Sequence, residues 1–354
     1  MATATHDIST LLAARFQSVA DFGRNTVAQV LQSDLAAWNA MVSEMVSDIC
    51  EVTTDRLRIY GTSANGDMTE VDEYGKAPAK RLLPGATVGF PLRLFQYNLG
   101  WTAKYLETAT PADLATMSLA AQKAHWREIQ RQMKLAIYKS ANYQFFDHLV
   151  DNVELGVKRF VNADSALIPD GPNGETFDGA SHTHYVGRAS LDAANMITDI
   201  NSVIEHGHGA SVRVAINRAD EAAFRALTGF VAYPDPRIAI GTISSATGSP
   251  AQTLDISRLD NRAIGVFGGA EVWVKSWAIA NYPFVWDAGA SEKPLAFRQR
   301  SQTSLQGLRM AANIPDHPLY VDFMEAEFGI GAWTRTNGLV VRTNNGTWGD
   351  PTIT

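Results

Sequence analysis

Apolar residues recur at helical spacing in the longest uninterrupted stretch of the chain, residues 110–150. Ile129, Met133 and Ile137 follow one another at four-residue steps, and charged side chains, among them Arg127, Arg131 and Lys134, occupy other positions of the stretch. Pro111 suits the first position of a helix, because that position needs no backbone N–H donor. We therefore predict a single helix over residues 110–150, roughly 60 Å long and longer than a compact domain usually needs.

Apolar positions at helical spacing also fill residues 8–50, with a break at Gly23. Two interpretations of this N-terminal segment remain open. Its helices either pack on the core of their own chain or form an arm that packs on a neighbouring subunit. The hydrophobic pattern is the same in both cases, so the sequence does not choose between them.

Residues 51–100 change to short strand-like runs, at 56–60 and 88–95, around a polar middle. Asn65 and Gly66 form a strong turn signal, so we predict an extended two-stranded loop. An isolated hairpin is only marginally stable in water, and one of this length is expected to rest on a partner surface. The alternative is an ordinary surface loop without fixed structure. The candidate inter-subunit contacts are its acidic and then basic side chains: Asp67, Glu70, Asp72, Glu73, Lys76, Lys80 and Arg81.

A second polar, turn-rich stretch at residues 162–185 is predicted to be another contact loop. A helix is expected next, over 189–206, followed by a compact strand-turn-helix unit over 211–227. Together with further strand-like runs this predicts an α/β unit around a central sheet. Those runs lie at 238–243, 263–267 and 271–277, and the last strand-rich section contains 319–328 and 339–343.

Composition excludes several classes of protein. The net charge of −7 over 354 residues argues against a dedicated nucleic-acid binder, which normally shows a basic face. No run of eighteen apolar residues is present, and the N-terminus lacks the layout of a secretory signal, so neither a membrane span nor export is expected. The single cysteine, Cys50, excludes an intramolecular disulfide and a cysteine-rich zinc site. It follows an apolar run, so we predict a small buried residue.

Candidate chemistry is sparse. The only paired histidines are His182 with His184 and His206 with His208, and alternation places both members of an extended pair on one side. Four imidazoles can hold a metal, but the pattern His-x-His is frequent by chance. We therefore interpret these histidines as polar residues of a loop and of a helix end, and we predict no metal.

Other motifs give no catalytic prediction. The glycines in GVFGGAEVWV precede a strand, so they indicate a tight turn between strands and not a phosphate-binding loop. No GxSxG motif is present. Glu325 and Glu327 would face one way on a strand, where solvated or subunit-facing carboxylates are favoured over a catalytic pair. The aromatic run from Trp273 to Trp286 is expected to pack in a core or an interface. We predict no catalytic residue and no cofactor.

The order of these parts resembles the major capsid proteins of tailed bacteriophages, a fold shared with bacterial encapsulins and the floor of herpesvirus shells. The residues that carry the resemblance are SVRVAINRADEAAFRAL, RAIGVFGGAEVWVKSWA, LYVDFMEAEFGIGAW and GLVVRT, in that order along the chain. The resemblance implies an α+β fold in five parts. These are an N-terminal helical arm (1–50), an extended loop (51–100), a peripheral domain with a spine helix at 110–150 and a contact loop (101–187), an axial domain (188–312), and return strands with a C-terminal tail (313–354).

By resemblance, the chain would be a structural protein that assembles with itself into pentamers and hexamers. These would form an icosahedral shell around double-stranded DNA, which is enclosed without sequence-specific binding. Residues 1–50 leave no room for a fused scaffolding segment, so separate scaffolding, portal and decoration proteins are expected as partners. The location implied is the virion, with assembly in the host cytoplasm. Lys76 and Lys80 lie in the loop that some members crosslink to asparagine, but no catalytic glutamate is assigned and crosslinks are not expected.

Three alternatives remain. An encapsulin-like compartment would share the fold and enclose cargo enzymes. A soluble α/β enzyme would place its site near the histidine pairs, between Ser181 and Asn217. A tail or decoration protein is a weaker third choice, since the long helix and two contact loops suit it less well.

Overall fold

The computed structural model describes residues 6–61, 68, 70–77, 85–102, 108–233, 261–316 and 319–353. Its α-helices in these residues are α1 (Ile8–Ala13), α2 (Val19–Phe22), α3 (Arg24–Val46), α4 (Pro111–Tyr138), α5 (Ala193–Ile204) and α6 (Glu221–Arg225). None of the helices in this part of the chain combines the length and apolar character that crossing a membrane requires.

Within the described residues, the strands form four sheets. The strands are β1 (Cys50–Thr53), β2 (Leu57–Tyr60), β3 (Ala86–Gly89), β4 (Arg93–Thr102), β5 (Tyr143–Phe146), β6 (Glu154–Val157), β7 (Tyr185–Gly187), β8 (Val212–Ile216), β9 (Val231–Ala232), β10 (Asn261–Phe267), β11 (Ala270–Lys275), β12 (Phe284–Asp287), β13 (Leu295–Gln299), β14 (Leu308–Asp316), β15 (Leu319–Ala332) and β16 (Leu339–Arg342). A five-stranded sheet has the order β1-β13-β15-β14, with β4 also paired to β15. A seven-stranded sheet has the order β7-β16-β12-β8-β11-β10-β9, and β2-β3 and β5-β6 form two small antiparallel pairs.

Helix α4 begins where the sequence predicts. Thr110 caps it, with its side chain accepting from the Asp113 N–H and the Asp113 carboxylate accepting from the Thr110 N–H. The predicted end at residue 150 is wrong, because the helix stops at Tyr138. The chain then pairs β5 with β6, and the Asp350 carboxylate accepts hydrogen bonds from the Ser140 backbone and hydroxyl. These tertiary bonds replace the helical ones, and the helix is roughly 40 Å long.

The N-terminal helices pack on the core of their own chain. Val27, Val30 and Leu31 of α3 are buried with Leu11 and Ala115, the last on α4. Farther along the same two helices, Gln122 donates to the Asp34 carboxylate and Trp38 Nε1 donates to His125 Nδ1. Part of this segment therefore packs within its own chain, and its packing on a neighbouring subunit stays a prediction.

The predicted axial and peripheral boundaries do not follow the sheets. Strand β13 and the first half of β14 fall in the predicted axial part at 188–312, but both strands pair with β15 in the five-stranded sheet. Strand β16 was expected to return to the peripheral part, but it lies between β7 and β12 in the seven-stranded sheet. This arrangement depends on backbone pairing between segments that are far apart in sequence. The hydrophobic periodicity within one segment does not indicate which sheet that segment joins.

The local predictions for the seven-stranded sheet agree with the structure. Asn217 accepts from the Ala219 N–H and starts the turn that leads from β8 into α6. Gly268 and Gly269 both have positive φ and join β10 to β11 in a tight hairpin, as the glycine pair indicates. The strand predicted at 238–243 lies outside the described residues. Most of the aromatic run is buried in the core, as expected: Trp277, Tyr282, Phe284 and Trp286.

Candidate functional site

The extended loop is described at its base and along a short part of its length. Strands β2 and β3 pair at the base, as a two-stranded loop requires. The single strand-like run predicted at 88–95 is wrong, because β3 ends at Gly89 and β4 begins at Arg93 and pairs with β15 in the five-stranded sheet. Of the candidate contact residues, Glu70, Asp72, Glu73 and Lys76 are exposed side chains in residues 70–77, whereas Asp67, Lys80 and Arg81 lie outside the described residues. A turn is closed by a hydrogen bond from Gly75 N–H to the Asp72 carbonyl oxygen, 3.1 Å long. The role of the charged side chains in subunit contact stays a prediction.

Apolar side chains accompany these charges. Met68, Val71 and Tyr74 are 99%, 47% and 87% exposed. An isolated exposed apolar residue is ordinary, but three within seven positions are more typical of a surface that meets a partner. The charge pattern alone did not single out these three residues.

The second predicted contact loop, residues 162–185, is ordered by bonds within itself and to the body of the chain. Ala163 N–H donates to the His182 carbonyl and Ser165 N–H to the Gly179 carbonyl, both at 2.9 Å. The buried Arg335 guanidinium donates to Asn162 and contacts the Asp164 carboxylate, both at 3.0 Å. The loop therefore has a fixed shape in the single chain, and its contact with a neighbouring subunit stays a prediction.

Three of the four paired histidines meet at one end of this loop. The Nε2 atoms of His182 and His184 are 3.2 Å apart, and each lies 3.1 Å from Nε2 of His206. His182 and His184 precede strand β7 and face the same way, as alternation predicts, while His206 follows the end of α5. His208 is not in this group, because its Nε2 contacts the Thr336 hydroxyl at 2.9 Å.

Burial lowers the pKa of all three imidazoles in this histidine cluster, which favours their neutral form. Burial and the neighbouring His206 hold the pKa of His184 well below its usual value. Burial first, and then His182, lowers the pKa of His206 to about 3. His182, which is less buried, also has a lowered pKa because of desolvation. Neutral imidazoles have a free lone pair on one ring nitrogen.

Residues around the cluster were not indicated by the sequence. The Phe177 ring centroid lies 4.0 Å from that of His206 and covers one side of the group. The Glu205 carboxylate oxygen lies 3.9 Å from Nε2 of both His182 and His206. Glu205 precedes His206 directly, so the only sequence signal for it is a carboxylate beside a paired histidine.

The remaining chemical candidates are structural. Cys50 is buried, as predicted, and burial raises the pKa of its thiol. Glu327 was expected to be solvated or to face another subunit, but it is buried and pairs with Arg300 and Arg309 at 2.5 and 2.7 Å. Strand β14 and the turn before it bring both arginines across the sheet to this carboxylate. Glu325 shares Arg309 at 3.3 Å, so the two glutamates neutralise fixed cations.

No protein-family model matches the sequence, and no curated protein sequence matches it. Among solved structures, a protein of Mycobacterium phage Patience has a TM-score of 0.63 at 18% identity, covering 99% of this chain and 96% of that one. The capsid of a native GTA particle has a TM-score of 0.49 at 13% identity, covering 84% of this chain and 89% of that one. The holo-SrpI encapsulin complex of Synechococcus elongatus has a TM-score of 0.43 at 9% identity, covering 87% of this chain and 90% of that one.

This chain has the tailed-phage major capsid fold. The resemblance drawn from the sequence is therefore confirmed at the level of the fold, which is α+β. The match with the phage protein covers nearly the whole of both chains, so it includes the N-terminal helices and the last strand. Within the capsid fold, the histidine cluster lies where the loop 162–185 meets the seven-stranded sheet.

Proposed function

We propose that this chain is the subunit of an icosahedral protein shell, assembled from pentamers and hexamers around the double-stranded DNA of a tailed phage. The observation that carries the proposal is the correspondence of the whole fold with a phage protein, over 99% of the chain at a TM-score of 0.63. Such a protein acts through repeated contacts between identical subunits. Closed symmetry repeats each contact many times, so modest pairwise affinity is sufficient.

The exposed segment 68–77 supports this proposal. Its apolar side chains, Met68, Val71 and Tyr74, lose contact with water only if another surface covers them, and that burial favours association. Glu70, Asp72 and Glu73 lie beside them and can pair with basic groups of a neighbour, which fixes the orientation of the contact. We propose that this segment lies over the adjacent subunit.

The proposed partners follow from the same role. A separate scaffolding protein would set the size of the shell, a portal protein would form its single entry vertex, and decoration proteins would cover its outer surface.

Light scattering coupled to size-exclusion chromatography and electron microscopy of the purified chain test the proposal directly. Polyhedral particles, pentamers or hexamers are expected, alone or with a co-expressed scaffold. A monomer or dimer under both conditions would contradict the shell role and favour the enzyme alternative.

A triple substitution, Met68→Ser, Val71→Ser and Tyr74→Ser, tests the loop. The variant is expected to keep the circular dichroism spectrum of the parent and to lose large particles, because the substituted side chains are exposed in the chain and buried only on assembly. Val150→Ser with Val153→Ser is the matched control, since both valines are about half exposed and lie on the hairpin between β5 and β6. Normal particles from the triple variant would remove the loop from the proposed contact.

The contents of the particle separate a phage shell from an encapsulin-like compartment. Particles isolated from the native source are treated with nuclease and then analysed for DNA and for co-purifying protein. Protected double-stranded DNA of uniform length is expected. A stoichiometric cargo enzyme without DNA would assign the compartment instead.

A further inference from the structure

The histidine cluster has the geometry of a metal site. Its three Nε2 atoms form a nearly equilateral triangle with sides of 3.1, 3.1 and 3.2 Å. An ion about 2.05 Å from each nitrogen, the usual zinc–imidazole distance, would lie about 1 Å out of their plane with N–metal–N angles near 100°. Those angles are close to tetrahedral, and the fourth position points away from the three rings.

Hydrogen bonding does not account for three nitrogens at this spacing. His184 Nδ1 lies 2.8 Å from the Gly338 carbonyl oxygen, which only accepts, so the ring proton is on Nδ1 and Nε2 carries a bare lone pair. With no proton from His184, at least one of the three contacts brings two lone pairs or two protons together. A cation above the plane of the three nitrogens uses all three lone pairs at once.

The surroundings also suit a metal. The hydrogen bond between His184 Nδ1 and Gly338 is the kind that orients a ligating imidazole and fixes its tautomer. The Glu205 carboxylate oxygen is 3.9 Å from two of the three nitrogens, so Glu205 is a candidate for the fourth ligand. A water molecule is the other candidate. His182 remains 23% exposed at its side chain, which gives an ion a path from solvent.

We propose that His182, His184 and His206 bind one divalent transition-metal ion, with zinc as the preferred ion and Glu205 or water as the fourth ligand. Imidazole suits zinc, cobalt and nickel, whereas magnesium and calcium prefer oxygen ligands. The ion joins the end of the loop 162–185 to the segment that follows α5. All three ligands belong to one chain, so binding does not depend on assembly.

The test uses the full chain, purified without metal-affinity chromatography, treated with chelator and then dialysed. Zinc binding is measured by calorimetric titration, and cobalt is added separately because its visible absorption is intense when tetrahedral and weak when octahedral. We expect one zinc per chain, an intense cobalt spectrum and a rise in Tm of about 5 °C at saturating zinc, with magnesium giving no change. Absence of zinc binding at micromolar concentrations would overturn the proposal.

Variants His182→Asn and His206→Gln each remove one ligand, and His208→Gln is the matched control. The ligand variants are expected to weaken zinc binding more than tenfold and to lose the rise in Tm, while His208→Gln binds as the parent does. His182 is partly exposed, so its variant is expected to fold, and its Tm in chelator should equal that of the parent. Equal zinc affinity in the two ligand variants and the parent would refute the site, as would a loss confined to His208→Gln.

Discussion

His125 of α4 is a neutral base held in the core between α3 and the five-stranded sheet. Its Nδ1 accepts a hydrogen bond of 3.2 Å from Trp38 Nε1, and the Phe328 ring lies edge-on at 5.4 Å. Burial lowers its pKa to about 4. Protonation would remove the acceptor and place a charge in an apolar region, so the folded state resists it.

Because the pKa of His125 is lower in the folded state than its ordinary value of 6.5, the unfolded chain binds the proton first. Its contribution to stability is complete above pH 6.5 and is lost as the pH falls towards about 4. Within that window the loss is up to about 1.4 kcal/mol per pH unit. The free energy of unfolding is measured with urea on the unassembled subunit at several pH values. Its slope against pH is expected to be smaller for His125→Gln than for the parent, since glutamine keeps an acceptor for Trp38 and does not titrate. An unchanged slope would contradict this assignment.

The histidine cluster shows how far single residues can be predicted from sequence. Alternation placed His182 and His184 on one side correctly, because an extended chain has a period of two. Whether His206 or His208 joins them depends on where α5 ends relative to the loop, and that distance is set by packing between separate segments. The sequence therefore favoured polar loop positions, and no local pattern indicated Glu205 or Phe177.

At the scale of elements, starts are easier to predict than ends. The cap of α4 is a local signal in Thr110, Pro111 and Asp113, and the structure contains it. Its end depends on Asp350, which is far away in sequence and binds Ser140. The pairing of β13 and β14 with β15 also depends on residues that are far apart in sequence. The position of each strand along the chain could therefore be predicted better than the sheet to which it belongs.

Helix α4 is expected to tolerate an aspartate on one face only. Ile129 is fully buried against the five-stranded sheet and the N-terminal helices, so Ile129→Asp buries an unpaired carboxylate and is expected to cost several kcal/mol of unfolding free energy. Arg127 is exposed on the same helix, and Arg127→Asp is expected to change stability by less than about 0.5 kcal/mol. Thermal unfolding of both variants checks this. A soluble, assembling Ile129→Asp variant would contradict the place given to α4 in the core.

For the whole molecule, one hydrophobic cluster contains residues of both large sheets, and a second contains residues of the seven-stranded sheet with α5 and α6. Phe284 and Trp286 of the seven-stranded sheet, Phe297 and Phe328 of the five-stranded sheet and Ile129 of α4 belong to a single buried cluster. The chain also passes between the sheets repeatedly, since β12, β13 and β16 alternate between them. Neither sheet is made from one continuous segment, so we expect them to unfold together.

Hydrogen exchange in increasing denaturant tests this on the unassembled subunit. Peptides from β8 and from β15 are expected to lose protection at the same denaturant concentration, because opening either sheet exposes the shared cluster. Val340→Asp places a charge at a fully buried position of β16, so it should lower the denaturant concentration at which both peptides lose protection, and by the same amount. Val231→Asp is the matched control, since that valine is exposed on the edge strand β9, and it should change this concentration for neither peptide. If β15 stayed protected after β8 had opened, the sheets would be separate folding units, and a subunit in which one sheet turns against the other during shell assembly would become the better description.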